Sequence, residues 1–284
     1  MTEGTVYREG WTLDDVPWSR FDASKVDPDL LRAMKAACLV EYAAPDYVGY
    51  LKRVFAGDGP ERMAMLEKWG REETQHGLAL SHWAKLADPD FDFDAAFARF
   101  KAGYRAAHFA NNDEVSVRGS RRGEMIARCV VECGTSSYYS ALRDATEEPV
   151  LKEICGRIAA DEFRHYKLFY DTLQVQTEPD LPLWKKISVA IGRATESDDD
   201  ELAYAYYAAN VPKGDVPYDR VKFGAAYTGA AMIHYRPHHV KKLVQMVAKA
   251  CGANPQSRVT SMAGTLAYHV MHRKAERSLT RPAA

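Results

Sequence analysis

Six residues of the chain have the types and the spacing of a binuclear metal site: Glu41, Glu73, His76, Glu132, Glu162 and His165. The pattern is one unit written twice. Glu41 is followed 32 residues later by Glu73-x-x-His76, and Glu132 is followed 30 residues later by Glu162-x-x-His165. Four helices that hold a pair of iron or manganese ions supply one Glu from each of two helices and a Glu-x-x-His pair from each of the other two. With 18 Glu and 9 His in 284 residues, random placement gives fewer than one Glu-x-x-His triplet. The chain has two, each with an aligned Glu about thirty residues upstream, and repetition of this kind is the stronger signal.

Each of the six falls in an apolar seam with helical steps of three and four residues. The seams are Leu66, Trp69, Glu73, His76, Leu80, Trp83; Leu151, Cys155, Ile158, Glu162, His165, Phe169; Met125, Cys129, Glu132, Ser136, Tyr139; and Met34, Cys38, Glu41, Val48. Such seams mark buried helix faces. A buried carboxylate without a partner is costly, and four converging carboxylates also repel one another. Two divalent cations cancel four negative charges and remove both problems. Carboxylate oxygens with one imidazole per metal suit Fe(II) or Mn(II), whereas zinc prefers tetrahedral nitrogen and sulfur ligands. Glu73 and Glu162 are then expected to bridge the metals, with Glu41 and Glu132 terminal or semi-bridging. Glu72 and Asp161 each precede a bridging Glu and are candidate acceptors for the outer N–H of a ligating histidine.

The elements that must carry these residues follow from helix signals. Residues 1–26 read as an irregular arm anchored by Tyr7, Trp11 and Trp18. The ligand helices are expected at 28–55, 60–87, 121–145 and 147–175. Asp27-Pro28 fits an N-cap with Pro in the first turn, and Pro45 should kink the first helix. A further helix is expected at 94–110, with a polar loop at 111–120. Additional helices follow at 183–194, 198–210, 217–235, 238–251 and 256–277, and Ser197 with Asp198, Asp199 and Asp200 suits a helix start. The tail from Thr280 reads as disordered. No strand pattern is evident, so the class is all-α. No Gly/Ser/Pro-rich linker divides the chain, which predicts one domain over 1–284: the arm, a di-metal four-helix bundle over 28–175 and accessory helices over 183–277.

Composition narrows the partners. The hydrophobic content of 46% suffices for a large core, and the net charge of −1 argues against nucleic acid. No apolar run is long enough to span a membrane. No signal peptide is visible. Cys38, Cys129, Cys133, Cys155 and Cys251 form no C-x-x-C pair and read as reduced, buried residues of a cytoplasmic protein.

At the ligand helices the residues resemble a known family. Ile154-Cys-Gly-Arg-Ile-Ala-Ala-Asp-Glu-Phe-Arg-His165 resembles the second ligand helix of the soluble acyl-carrier-protein desaturases, within the ferritin-like di-iron carboxylate superfamily. Trp69-Gly-Arg-Glu-Glu-Thr-Gln-His-Gly77 resembles their first. Glu132-Cys-Gly-Thr135 matches the family's Thr three residues after the third-helix Glu. The resemblance covers about residues 28–175. It implies a ferritin-like bundle with a helix-bearing crossover, two iron ions (manganese possible), a fatty-acyl or other apolar substrate that an acyl carrier protein can present, a ferredoxin-type electron donor and a homodimer. For Thr135 it implies a part in oxygen chemistry, although a helical Thr more often bonds its own backbone.

The expected function is an O2-dependent di-iron oxidoreductase acting on an unactivated C–H bond, with fatty-acyl desaturation first. Hydroxylation or N-oxygenation is the alternative, and ferritin- or rubrerythrin-type iron or peroxide chemistry the rival class. The missing four-cysteine iron module and the roughly 120 residues after His165 weigh against the rival. Tyr42, Tyr138, Tyr139, Tyr166 and Trp69 read as packing. His234 with His238, and His269 with His272, are weak metal candidates. Arg118, Arg121 and Arg122, or Arg236, Lys241 and Lys242, offer surface charge to an acidic carrier.

Overall fold

The computed structural model describes residues 10–104, 115–196, 200–212 and 216–279, and every regular element among them is helical. Tyr7, Ser197, Asp198, Asp199, the 105–110 end of the helix expected at 94–110, residues 111–114 of the expected loop and the tail from Thr280 lie outside the described residues. Three single-turn 3-10 helices order the arm that the sequence suggested was irregular: Leu13–Asp15, Trp18–Arg20 and Ala23–Lys25.

Helix α1 (Pro28–Tyr42) starts on Asp27, whose side chain accepts the N–H groups of Asp29 and Leu30. The kink expected at Pro45 takes the form of a one-residue interruption at Ala43, after which α2 (Ala44–Val54) begins. Pro45 has no N–H for the Glu41 carbonyl and its ring crowds that carbonyl, so the helix stops just after Glu41. Glu41 therefore sits in a terminal turn. Helix α3 (Pro60–Ala87) carries Glu73 and His76 near its middle, and α4 (Phe93–Gly103) follows the Asp88 stop. Helices α5 (Arg121–Ala145) and α6 (Pro149–Gln174) form an antiparallel pair. Glu148 caps α6 at the N–H groups of Val150 and Leu151 and also accepts Trp83 Nε1–H at 2.7 Å.

Helix α1 packs along α3, α5 along α6, and α3 meets α6, which joins the two halves of the repeated pattern. Helices α7 (Leu183–Glu196), α8 (Asp200–Asn210), α9 (Arg220–Met232), α10 (Pro237–Ala250) and α11 (Arg258–Leu279) complete the described fold. Helix α8 covers α1, and α10 covers α5.

The buried apolar residues form two clusters. One holds Met34, Cys38, Leu80, Trp83, Tyr139 and Ile158; the other holds Leu66, Trp69, Met125, Cys129 and Phe169. Each ligand helix contributes to the first cluster on one side of its ligand, and α3, α5 and α6 contribute to the second on the other side. The six sequence-selected residues are a polar layer between two apolar halves. All five cysteines are buried and none is disulfide-bonded. No helix of the described residues is long and apolar enough to cross a membrane.

Close approach of α1 and α3 depends on Gly77, the residue after His76. A Cβ there would lie 2.7 Å from Tyr42 N and 2.9 Å from Cys38 O, both backbone atoms that cannot turn aside. Gly77→Ala is expected to destabilise by about 1–3 kcal/mol, the range for overpacking a well-filled interior. Urea denaturation checks this, and an unchanged midpoint would place α1 farther from α3 than described.

Candidate metal centre

The four ligand helices bring all six residues into one buried site. Glu73, Glu132, Glu162, His76 and His165 are each less than 7% exposed, and Glu41 is at 9%. The donor atoms form two sets, Glu41/Glu73/His76/Glu162 and Glu73/Glu132/Glu162/His165, and within each set they lie within 4.8 Å of one another. Glu73 and Glu162 belong to both. The i,i+3 spacing in α3 and α6 puts each Glu and its His on one face, one turn apart.

Both imidazoles present Nδ1 to the centre. His76 Nδ1 is 3.2 Å from Glu162 Oε1, 3.6 Å from Glu73 Oε2 and 4.0 Å from Glu41 Oε2. His165 Nδ1 is 3.1 Å from Glu73 Oε1 and 3.5 Å from Glu132 Oε2. Glu73 thus turns one oxygen toward each histidine, the disposition of a bridging carboxylate.

The opposite ring nitrogens are held from outside. His76 Nε2 is 3.1 Å from Asp161 Oδ2, and His165 Nε2 is 2.9 Å from Glu72 Oε2. Each carboxylate takes the Nε2 proton and leaves Nδ1 as the inward lone pair. Glu72 and Asp161, the candidate acceptors, are thus each brought to the outer nitrogen of a histidine on the other helix. Asp161 is itself fixed by Trp11 Nε1–H at 2.7 Å and by Arg164. Trp11 also stacks near-parallel to His76, and Gln75 donates to its carbonyl. Asp161→Asn should keep the fold but lower metal affinity about 10–100-fold, the usual cost of losing such a partner. Competition with a chromophoric chelator reads this directly, and wild-type affinity would remove Asp161 from the site.

Two groups went unrecognised in the sequence. In the sequence Trp11 reads only as an anchor, because nothing local links it to an aspartate 150 positions away. Tyr139 reads as packing in the sequence, yet its hydroxyl donates to Glu41 Oε1. The other aromatics do pack: Trp69 lies edge-on to Phe169, Tyr42 meets Phe93 and Phe97, and the Tyr166 hydroxyl caps the Met246 carbonyl. Thr135 faces both its own helix and the site. Its hydroxyl is near its own helix carbonyls at Val131 and Glu132, and it also donates to Glu162 Oε2.

The unsatisfied atoms test whether this set suits a metal. His76 Nδ1, His165 Nδ1, both Glu132 oxygens and Glu162 Oε1 are buried without a hydrogen-bond partner. Buried polar atoms rarely stay unpaired, and here they face one another in a single layer. Metal-free, the layer is charge-frustrated. Burial, then the charges of Glu73 and Glu162, raises the Glu41 carboxyl well above the usual range. Burial likewise raises Glu132, to about 8, against the pull of His165. Burial alone would hold His76 and His165 neutral, but their carboxylate neighbours outweigh it and raise both. Burial also opposes the Glu73 charge, yet bonds from His165 and His76 hold its pKa well below normal. Protons thus collect where cations would compensate the same charge. The residues fit a pair of divalent ions.

The other sequence candidates fare differently. His238 and His239 lie beside Asp144 in a third cluster. However, His239 Nδ1 accepts the Arg236 N–H at 3.1 Å and Nε2 faces Asp144 Oδ2 at 3.1 Å, so neither nitrogen is available to a metal. His234, His269 and His272 join no such cluster among the described residues. In the first basic group, Arg121 pairs with Asp58, and Arg122 binds the carbonyls of Glu178 and Gln176. Those two are structural, while Lys241 and Lys242 remain exposed.

No protein-family model matches the chain, and no curated protein is significantly similar to it. The functional reading therefore rests on the site.

Proposed function

We propose that the chain is an O2-dependent di-iron oxidoreductase built on a ferritin-like bundle, and that it removes hydrogen from an unactivated C–H bond of an acyl or similarly apolar substrate. One observation carries this reading: two buried four-donor sets share Glu73 and Glu162, and His76 Nδ1, His165 Nδ1, both Glu132 oxygens and Glu162 Oε1 have no hydrogen-bond partner. The carboxylate-rich donor set favours iron, with manganese as the near alternative. Glu41, Glu73, His76, Glu132, Glu162 and His165 would hold a pair of ferrous ions, which when bound would supply the redox chemistry for dioxygen activation.

The chain's own residues do the rest. Asp161 and Glu72 fix the imidazole orientation. The two apolar clusters keep water from the polar layer. Thr135 Oγ1 holds a proton beside Glu162, and Tyr139 holds one beside Glu41. The resemblance adds desaturation as the first reaction to test, with a ferredoxin-type donor and a homodimer.

Metal analysis of the purified chain, followed by mass spectrometry of acyl pools from cells with and without it, tests the proposal. Acyl chains two mass units lighter indicate desaturation, and chains sixteen heavier indicate hydroxylation. Repeated iron oxidation with no organic product would replace the reading with ferroxidase activity. Thr135→Val should retain both metals and alter the coupling of O2 use to product; identical turnover and coupling would take Thr135 out of the mechanism.

A further inference from the structure

A cavity of about 120 Å³ opens between α5 and α10, lined by residues outside the metal layer. Its outer part carries Arg143, His238 and Lys242, together with Ser140. Its inner wall is Cys133, Ser136 and Met246. Lys242 is exposed and extends over the Phe163 ring at 5.3 Å, on the residue after Glu162. The first turn of α10 contributes His238 and His239 to the same lining.

The charge balance here is positive. Asp144 is the carboxylate in contact with this group. It is answered by two nitrogens of Arg143 at Oδ1 and by His239 at Oδ2. Arg143 and Lys242 both line the opening, and Lys242 is not paired to Asp144. A cationic, hydroxyl-bearing rim over a small, weakly polar interior matches an anionic group on the end of an apolar chain. The interior comes beside the metal layer at Ser136, which lies one turn beyond Glu132 on the same face of α5. Arg143 lies eight residues beyond Thr135 on α5, about 12 Å along the axis.

We propose that this cavity binds the anionic head of the substrate, a carboxylate or phosphate joined to an apolar chain, and so measures the distance from head to oxidised carbon. The inference rests on the oxidoreductase reading for its consequence but not for its test, because binding is read without turnover. Calorimetric titration of the full chain with dodecanoate, dodecyl phosphate, dodecanol and inorganic phosphate decides it. Dodecanoate or dodecyl phosphate should bind at least about tenfold more tightly than dodecanol. Lys242→Gln should remove about that factor, and Lys242→Glu more, with dodecanol binding and melting temperature unchanged. Arg143→Gln should weaken the same two ligands, and its melting temperature reports any loss of fold. The better of the two anions names the head group. Equal binding of dodecanoate and dodecanol, indifference to Lys242→Glu, or inorganic phosphate binding as tightly as the chain-bearing anions would overturn the proposal. Metal content measured on the same samples shows whether the iron reading stands or falls separately.

Discussion

Glu162→Ala is expected to empty both metal positions at once. Glu162 belongs to both donor sets, so its loss leaves each with three donors and removes a shared negative charge from between the cations. Losing an outer hydrogen-bond partner already costs metal sites about 10–100-fold, and losing a shared ligand should exceed about 100-fold in affinity and activity together. Glu41→Ala provides the contrast, because Glu41 belongs to one set only. It should weaken one metal position and leave the other measurable. Elemental analysis after desalting gives the stoichiometry. Two ions retained by the Glu162 variant with full activity would refute the shared-ligand arrangement.

The second large effect is on stability against pH. The unfolded chain releases glutamate protons near pH ~4.3. Folded and metal-free, Glu132 holds its proton to about 8 and Glu41 holds its own well above the ordinary range. Between those limits the folded state binds more protons, so stability falls as pH rises. His76 and His165 act in the same direction. Their raised pKa gives stability that is fully present below about pH 6.5 and lost as pH climbs through the raised value. Glu73 is lowered, so its contribution is present above pH ~4.3 and lost only under stronger acid.

The metal-free protein should therefore melt progressively lower from pH 5 to 8, by up to about 1.4 kcal/mol per pH unit for each extra proton held. Metal ions replace those protons and release them on binding. The rise in melting temperature caused by Mn(II) should accordingly grow with pH. Scanning calorimetry with and without Mn(II) measures both curves. A metal-free Tm that increases across this range would mean that the layer does not hold protons as described.

The sequence made the ligand helices legible because burial of one face imposes a period of three to four residues that survives without neighbours. It made Glu72 and Asp161 legible for a related reason. A residue next to a bridging Glu, on the helix facing the other His, can reach the outer ring nitrogen. What it hid depends on packing between distant segments. Pro45 signals a bend but not that the helix is interrupted at Ala43, one residue after the contact with Gly77. Trp11 reaches Asp161 from an arm with no helical period. Tyr139 lies on the same seam as Glu132, but its partner Glu41 comes from α1. The cavity at Arg143 and Lys242 needs α10 laid against α5, and the last hundred residues carry no motif that announces it.

Anaerobic titration of the metal-free chain with ferrous ion, followed by Mössbauer spectroscopy, tests the central claim most directly. Two ferrous ions should bind per chain, and they should be magnetically coupled through the shared carboxylates. Uptake of fewer than two ions, or two uncoupled ions that survive loss of Glu162, would contradict a binuclear centre at these residues.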